Sequence, residues 1–151
     1  MPIKVVSKNR KAKYEYFIFE QYEAGIVLQG SEIKSIRAGQ VSLAEAYVRI
    51  DSGEAWIIDL HIAHYEQAGI FNHEPRRPRK LLLHRREIRH LWDQVRKKGV
   101  TIIPLKMYLK DGLAKVEIAI VKGKKLYDKR QVIANRDAQR EIDRQYHGKY
   151  K

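Results

Sequence analysis

The stretch TIIPLKMYLKDGLAKVEIAIV at residues 101–121 is a strong indication of the fold. Its two halves, which we place at Val100–Leu109 and Leu113–Val121, are rich in β-branched and aliphatic residues, as strands are. A Lys-Asp-Gly turn separates them, which is a hairpin signal. The order K-V-E-I-A-I in the second half alternates polar or small residues with aliphatic ones. The stretch therefore predicts a long antiparallel hairpin with one buried face.

Further strands are predicted on the N-terminal side of this hairpin. Tyr14–Tyr22 is rich in aromatic residues, and EAGIVLQ continues that strand past Gly25, where a bulge or bend is expected. The segments Ala46–Ile50 and Ala55–Ile62 flank an Asp-Ser-Gly turn, so they predict a second hairpin.

Two helices are predicted between these strands. Ser31 is expected to cap a short helix that Gly39 ends. His84–Lys98 carries apolar residues at helical spacing, and Gly99 stops it. Residues 63–80 contain X-Pro steps and are expected to be irregular. This order of elements predicts a mainly β fold with flanking helices, in which an antiparallel barrel with an OB-like core is one natural choice.

The chain divides into one folded domain and a tail. Residues 1–121 are predicted to form the barrel domain, with 1–13 as a basic, extended N-terminal arm. Residues 122–151 are basic and carry a narrow apolar stripe, so they are expected to be mobile alone and helical when bound.

The positive charge is segregated along the chain. The formal net charge is +13, and residues 1–14, 74–98 and 122–151 carry +5, +7 and +6. Segregated positive charge indicates a polyanion partner. An anionic membrane is the alternative, but that would favour a basic helix with a broad apolar face. The charge pattern thus favours a nucleic-acid partner.

Few residues suggest catalysis, a metal or a cofactor. The chain has no cysteine, which excludes thiol chemistry and is consistent with a cytoplasmic location. His61 and His64 are three apart, a spacing that in extended chain places them on opposite faces, and HExxH, Walker, GxGxxG and GxSxG motifs are absent. No apolar stretch is long enough to span a membrane. We therefore expect no catalytic residue, no metal and no cofactor.

Several ordered strings connect the sequence with a known family. They are NRKA at 9–12, YEAGIVLQGSEIKSIRAG at 22–39, RKLLLHRREI at 79–88, TIIPLKMY at 101–108 and KVEIAIVKGKKLYDKR at 115–130. With these strings the sequence resembles the tmRNA-binding family called small protein B, or SsrA-binding protein.

The resemblance implies an OB-like barrel and a role in bacterial trans-translation. It implies a non-enzymatic, monomeric protein that binds the tRNA-like domain of tmRNA (SsrA RNA) and brings it to stalled ribosomes. The tail is implied to occupy the decoding region and the empty mRNA channel, next to small-subunit ribosomal RNA. No membrane and no small-molecule substrate is implied.

Two sets of site residues follow. Glu23, Leu82 and His84 match family positions at the tmRNA surface. The full predicted tmRNA-binding set is Tyr22, Glu23, Lys34, Arg37, Arg79, Lys80, Leu82 and His84. The predicted decoding-region set is Lys124, Lys125, Tyr127, Asp128, Lys129 and Arg130.

Plainer interpretations remain open at this point. Lys34 and Arg37 could form an ordinary solvated helix face, Glu23 could be a solvated acid, and Leu82 could belong to the core. An RNA-modifying enzyme and a constitutive ribosomal protein are the alternative functions. Loss of activity with binding retained would indicate the enzyme, and equal abundance on all ribosomes would indicate the ribosomal protein.

Overall fold

The fold is built on a curled antiparallel sheet, and the structure, a computed structural model, describes residues 3–124. The strands in this range are β1 Ile3–Lys8, β2 Tyr16–Ile26, β3 Val41–Ser42, β4 Tyr47–Asp51, β5 Glu54–Ile58, β6 His61–Ile62, β7 Arg79–Leu82, β8 Thr101–Lys110 and β9 Leu113–Gly123. The helices in this range are α1 Ala12–Glu15, α2 Gly30–Arg37, the 3-10 helix Glu66–Phe71 and α3 Arg85–Lys98.

The long hairpin predicted from residues 101–121 is confirmed. Strands β8 and β9 pair antiparallel, with Lys110 opposite Leu113. Asp111 and Gly112 both have positive φ, 53° and 80°, which is the backbone of a tight hairpin turn with the twist of its strands. The sequence predicts one buried face, whereas the second half of β9 is buried on both, because Ala119 and Val121 lie in a second apolar cluster around Ala12 of α1.

The sheet curls around a single main core. Its strand order is β1-β8-β9-β2-β7-β5-β4, and a separate two-stranded sheet pairs β3 with β6. Strand β4 packs against β8 across the core. Within the described range the edge strands β1 and β4 do not pair with each other, so the barrel is open. The predicted class, a mainly antiparallel β fold with flanking helices and an OB-like core, is confirmed.

The N-terminal predictions need two corrections. Residues 3–8 of the predicted arm form the edge strand β1, which pairs with β8, because the edge of β8 offers unpaired backbone groups to it. Gly25 is neither a bulge nor a bend: it pairs with Leu82 on one side and Lys115 on the other. The irregularity of β2 lies instead between Ile18 and Glu20.

Two further boundaries differ from the sequence prediction. The strand predicted from Tyr14 begins at Tyr16, because Ala12–Glu15 form α1. Strand β5 ends at Ile58, because Asp59 adopts a positive φ of 58° and turns the chain away. His61–Ile62 then pairs with Val41–Ser42 in the small sheet. The predicted hairpin around residues 51–53 is confirmed, with Asp51 opposite Glu54.

The cap predicted for the short helix is wrong in identity. Gln29 caps α2, and Glu32 completes a capping box by accepting from the Gln29 backbone N–H at 2.7 Å. The Ser31 hydroxyl pairs instead with Nδ1 of the buried His73, at 2.8 Å. The predicted ends of both helices are confirmed, since Gly39 and Gly99 follow α2 and α3 with positive φ.

A buried ion pair fixes α2 against β7. Glu32 and Arg79 are both fully buried, and Arg79 Nε donates to Glu32 Oε2 at 2.6 Å. The Arg79 guanidinium also donates to the carbonyls of Leu60, at 2.6 Å, and Pro75, at 3.1 Å. Because these oxygens share the remaining donors, the charge is buried with its hydrogen bonds satisfied.

The environment of Glu32 favours its ionised form. Burial by itself raises the pKa of the carboxyl, but hydrogen bonds from Arg77 and the Gln29 backbone, together with the charge of Arg79, hold the pKa below its usual value of 4.5. A carboxyl whose pKa is depressed on folding adds stability above its unfolded pKa, and that stability is lost as the pH falls through the folded pKa.

The substitution Glu32→Gln is expected to destabilise the fold by about 3 kcal/mol, because it leaves the Arg79 guanidinium buried without its counter-charge. Chemical unfolding at neutral pH measures this loss. The stability of the variant is also expected to depend less on pH below about 4.5, since one depressed pKa is removed.

Glu45→Gln is the matched control, because Glu45 pairs with Arg76 at 3.0 Å on the surface. An exposed pair contributes little, so we expect a change within about 0.5 kcal/mol. Equal losses in the two variants would show that the buried pair does not hold the fold.

Candidate nucleic-acid interface

A groove of about 760 Å³ opens between β2, β7, β9 and the start of α3. We name it the Leu82 groove. The lining residues used below are Glu23, Gly25, Lys80, Leu82, His84 and Lys115. Four of the eight residues predicted to bind tmRNA thus meet in one groove, although they come from two distant parts of the chain, residue 23 and residues 80–84.

Leu82 is an exposed aliphatic side chain that lines this groove. In β7 the side chains alternate, so Arg79 and Leu81 point inward while Lys80 and Leu82 point outward. Leu82 is 54% exposed, whereas Leu81 is 1% exposed. A Cβ on the neighbouring Gly25 would lie 3.3 Å from the Leu82 Cβ, so the glycine leaves the space that Leu82 occupies. The core alternative for Leu82 is therefore wrong.

Glu23 is held in place by a tyrosine and a lysine. The Tyr108 hydroxyl donates a short hydrogen bond to Glu23 Oε2, and Lys110 Nζ lies 3.6 Å from the same oxygen. The hydrogen bond from Tyr108, and next the charges of Lys110 and Lys115, hold the pKa of Glu23 below its usual value against a smaller effect of burial. The carboxylate is thus ionised and oriented, with its other oxygen open to accept a hydrogen bond.

The remaining polar groups of the groove are balanced in charge. Lys80 Nζ lies 2.8 Å from Glu54 Oε2, and the His84 backbone N–H donates to Glu87 Oε1 at 3.0 Å, which caps α3. With Glu23 included, the described lining residues carry three positive and three negative side chains. They are Lys80, Arg85 and Lys115, and Glu23, Glu54 and Glu87. The groove is suited to contacts with bases more than to the neutralisation of phosphates.

Comparison with known proteins gives the family. A model of the SmpB protein family matches residues 6–148. The chain belongs to the SmpB family. An SsrA-binding protein of Desulforudis audaxviator (strain MP104C) is 57% identical over 148 residues, which cover 98% of this chain and 97% of that relative. An SsrA-binding protein of Roseiflexus castenholzii (strain DSM 13941 / HLO8) is 64% identical over 142 residues, which cover 93% and 90%.

A solved structure supports the same assignment. It is described as "tmRNA-SmpB: a journey to the center of the bacterial ribosome", and one of its chains matches with a TM-score of 0.67 and 46% identity. The match covers 78% of this SmpB-family chain and 83% of that chain. The fold and the family assignment therefore agree.

The other residues predicted to bind tmRNA lie outside the Leu82 groove. Tyr22 packs against the core and donates to Glu20 Oε1 at 2.6 Å, and burial, with that hydrogen bond, raises its pKa to about 12. Lys34 and Arg37 are exposed on α2, where Lys34 lies over the Tyr65 ring. Their roles in this SmpB-family chain stay predictions.

Arg79 has a different role from the predicted one. Its side chain is 0% exposed and its donors are used inside the protein, so it does not offer a charge to RNA at the surface. It positions β7, which carries Leu82. Of the predicted tail residues, Lys124 is described, and Lys125, Tyr127, Asp128, Lys129 and Arg130 lie outside the described residues.

Sequence reasoning missed two residues that complete the groove. Lys115 lines it because β9 places that residue opposite Gly25. Tyr108 supports Glu23 from β8, across a gap of 85 residues in the sequence. The alternation of β9 predicts that Lys115 points outward, but the neighbour it meets depends on strand order.

The part of the chain that the structure covers shows no metal-binding cluster of His, Cys, Asp or Glu. In the same range, no helix has the length and apolar character needed to cross a bilayer.

Replacing Tyr108 by Phe is expected to raise the pKa of Glu23 toward 4.5, because it removes the hydrogen bond that most favours the carboxylate. A carboxyl-detected NMR titration of the protein measures the change.

The matched control is Tyr22→Phe, since the Tyr22 hydroxyl favours the ionised form of Glu20 in the same way. It is expected to raise the pKa of Glu20 and leave that of Glu23 unchanged. An unaltered pKa of Glu23 in Tyr108→Phe would contradict the assigned contact.

Proposed function

We propose that this chain binds the tRNA-like domain of tmRNA and delivers it to stalled ribosomes for trans-translation. The observation that carries the proposal is the convergence of Glu23, Leu82 and His84 in one open groove of an SmpB-family chain. The relatives are named SsrA-binding proteins, which is consistent with that partner. The chain acts by binding, as a monomer in the cytoplasm, without a cofactor or a small-molecule substrate.

The chemistry of the Leu82 groove fits an unpaired segment of RNA. Leu82 offers an exposed apolar surface against which an unstacked base can pack. The ionised Glu23 can accept hydrogen bonds from base amino groups, which explains an acid on an RNA-binding surface. Lys80 and Lys115, which also line the groove, can meet the phosphates next to that base.

The tail is proposed to act on the ribosome. Residues 122–151 carry ten lysines and arginines against four acids, and the string GKKLYDKR at 123–130 matches the family pattern. In this proposal the tail occupies the decoding region and the empty mRNA channel. The two RNA contacts are then separate in the chain, and their defects can be separated.

Leu82→Ala and Glu23→Ala are each expected to weaken tmRNA binding by roughly 10-fold, the loss of one good base contact. A gel-shift or filter-binding titration with the isolated tRNA-like domain measures the affinity. Unfolding curves close to that of the unchanged protein would show that the fold is retained.

Ile70→Ala and Glu45→Ala are the controls, because these residues are also exposed but do not line the groove. They are expected to bind tmRNA as the unchanged chain does. Full affinity in both Leu82→Ala and Glu23→Ala would remove the groove from the interface.

Removal of residues 128–151 is expected to abolish tagging on stalled ribosomes and to leave tmRNA affinity intact. A reconstituted trans-translation assay and the same binding titration, done side by side, measure the two effects. Leu82→Ala is expected to weaken tmRNA binding and to reduce tagging at limiting tmRNA, but a higher tmRNA concentration is expected to restore its tagging and not that of the truncation. If the truncation weakened tmRNA binding as much as tagging, the two-surface proposal would be wrong.

A further inference from the structure

His84 has two roles in the structure, because it lines the Leu82 groove and is also the N-cap of α3. Its backbone is extended, with φ of −68° and ψ of 148°, and the helix begins at the next residue. Glu23 brings a hydrogen-bond acceptor to the groove, and Leu82 brings an apolar surface. What the exposed ring of His84 brings follows from its role as a cap.

The capping box of α3 fixes the position of the proton on the His84 ring. The His84 backbone N–H donates to Glu87 Oε1 at 3.0 Å, and the His84 side chain accepts from the Glu87 backbone N–H. A ring nitrogen that accepts a hydrogen bond carries no proton, so the proton of the neutral ring lies on the other nitrogen. A protonated ring has two N–H groups and cannot accept, so the cap requires the neutral ring. His84 therefore has one N–H donor that the cap does not use.

The strand register places this donor beside the carboxylate of Glu23. Gly25 on β2 faces Leu82 on β7. Two residues further along each strand, the same antiparallel register brings Glu23 level with His84, and both residues line the groove. Residues level with each other on antiparallel strands are neighbours on one face of the sheet. The two groups that hold Glu23 both contact Oε2, so Oε1 can accept from a ligand next to the His84 donor.

An acceptor beside a donor matches the Watson–Crick edge of an unpaired base. On this edge every RNA base carries an N–H or amino donor next to an oxygen or nitrogen acceptor, and proteins that recognise single-stranded RNA bind such edges. In a duplex the partner base covers the edge. A phosphate offers acceptors alone and carries the same sign of charge as Glu23, so it fits this pair of groups poorly.

We propose that Glu23 and His84 together bind the Watson–Crick edge of one unpaired base of tmRNA, with Glu23 as the acceptor and His84 as the donor. Leu82 packs against the face of the same base. The inference rests on the proposed function, because it takes tmRNA as the RNA. It sets a double requirement on the side chain at position 84, which has to accept from α3 and donate to the base at the same time. A side chain that caps without donating keeps the fold and loses affinity for the RNA.

Substitutions of His84 separate the cap from the donor. Asparagine, serine and aspartate are all good N-caps, but an aspartate has no donor and a serine hydroxyl is too short to reach past the helix. His84→Asn is expected to bind the tRNA-like domain of tmRNA within about 3-fold of the unchanged chain, because its amide can accept and donate. His84→Ser and His84→Asp are expected to bind roughly 10-fold more weakly, the loss of one good base contact.

Unfolding curves and salt dependence serve as controls for these variants. All three are expected to unfold at nearly the same denaturant concentration as the unchanged chain, since each keeps the cap of α3. The loss in His84→Ser is expected to be the same at every salt concentration, whereas His84→Asp adds a negative charge and loses more at low salt. The donor role is wrong if His84→Asn binds as weakly as His84→Ser, or if His84→Ser binds as tightly as the unchanged chain.

Nitrogen-15 NMR of the His84 ring gives a readout that does not depend on affinity. In the free chain, the neutral ring is expected to be a single tautomer with one protonated nitrogen, because the other nitrogen caps α3. The signal of the protonated nitrogen is expected to shift when the tRNA-like domain is added. A mixture of the two tautomers in the free chain would contradict the cap, and a signal unchanged by the RNA would contradict the donor.

Removal of single bases from the RNA tests whether Glu23 and His84 share one base. The affinities of Glu23→Ala and His84→Ser are measured for tRNA-like domains that each carry one abasic nucleotide in an unpaired loop. At the nucleotide whose base occupies the groove, both losses are expected to disappear, because the contacts they remove are already absent. Abasic nucleotides elsewhere are expected to leave both losses in place. If the two losses disappear at different nucleotides, the two side chains bind different bases and the inference is overturned.

Failure of the inference differs from failure of the proposed function. If the unchanged chain does not bind tmRNA, the proposed function fails. If the chain binds tmRNA, and Leu82→Ala and Glu23→Ala weaken binding while His84→Ser does not, the inference alone is overturned.

Discussion

The buried pair of Glu32 and Arg79 is the constraint on which the interface depends. Arg79 opens β7, and its guanidinium joins α2 to the carbonyls of Leu60 and Pro75. Three residues later the same strand presents Leu82 to the outside. Because neighbours in a strand alternate in direction, fixing Arg79 inside also fixes which residues of β7 face outward. An arginine that never reaches the surface thereby sets the position of a leucine that does.

The outer face of the sheet shows how a strongly basic chain can include a balanced binding groove. The net charge of +13 indicates attraction to a polyanion, yet Glu23, Glu54 and Glu87 offset the cations around Leu82. Uniform positive charge would hold any RNA, since phosphates are the same in every sequence. An ionised carboxylate favours a partner group that donates hydrogen bonds, and it disfavours a phosphate because both are negatively charged. The acids therefore limit which part of an RNA can enter.

Much of the fold was predictable because its signals are local. The hairpin of β8 and β9 follows from alternation and a turn signal, and α3 follows from helical spacing and Gly99. The corrections concern pairing partners: β1 looks like an arm because an edge strand carries the same polar, basic residues as a solvated segment. Position in the chain does not reveal that β8 has a free edge.

The candidate site likewise contains residues that the sequence predicts and residues that it does not. The family strings predict Glu23, Leu82 and His84, and the positive charge of residues 74–98 indicates Lys80. Arg79 is predicted at the RNA-binding surface but is buried. The sequence does not show this, because its burial depends on Glu32, which lies 47 residues away in the chain. Tyr108 was missed because its function lies in one hydrogen bond to Glu23, which sequence spacing does not encode.

The contact between Lys124 and the start of the fold has a mechanical consequence. Lys124 Nζ donates to the Lys13 carbonyl at 2.8 Å and lies over the Phe17 ring, with 5.4 Å to its centroid. A pull on the chain after Lys124 would therefore act on α1 and β2 as well as on β9.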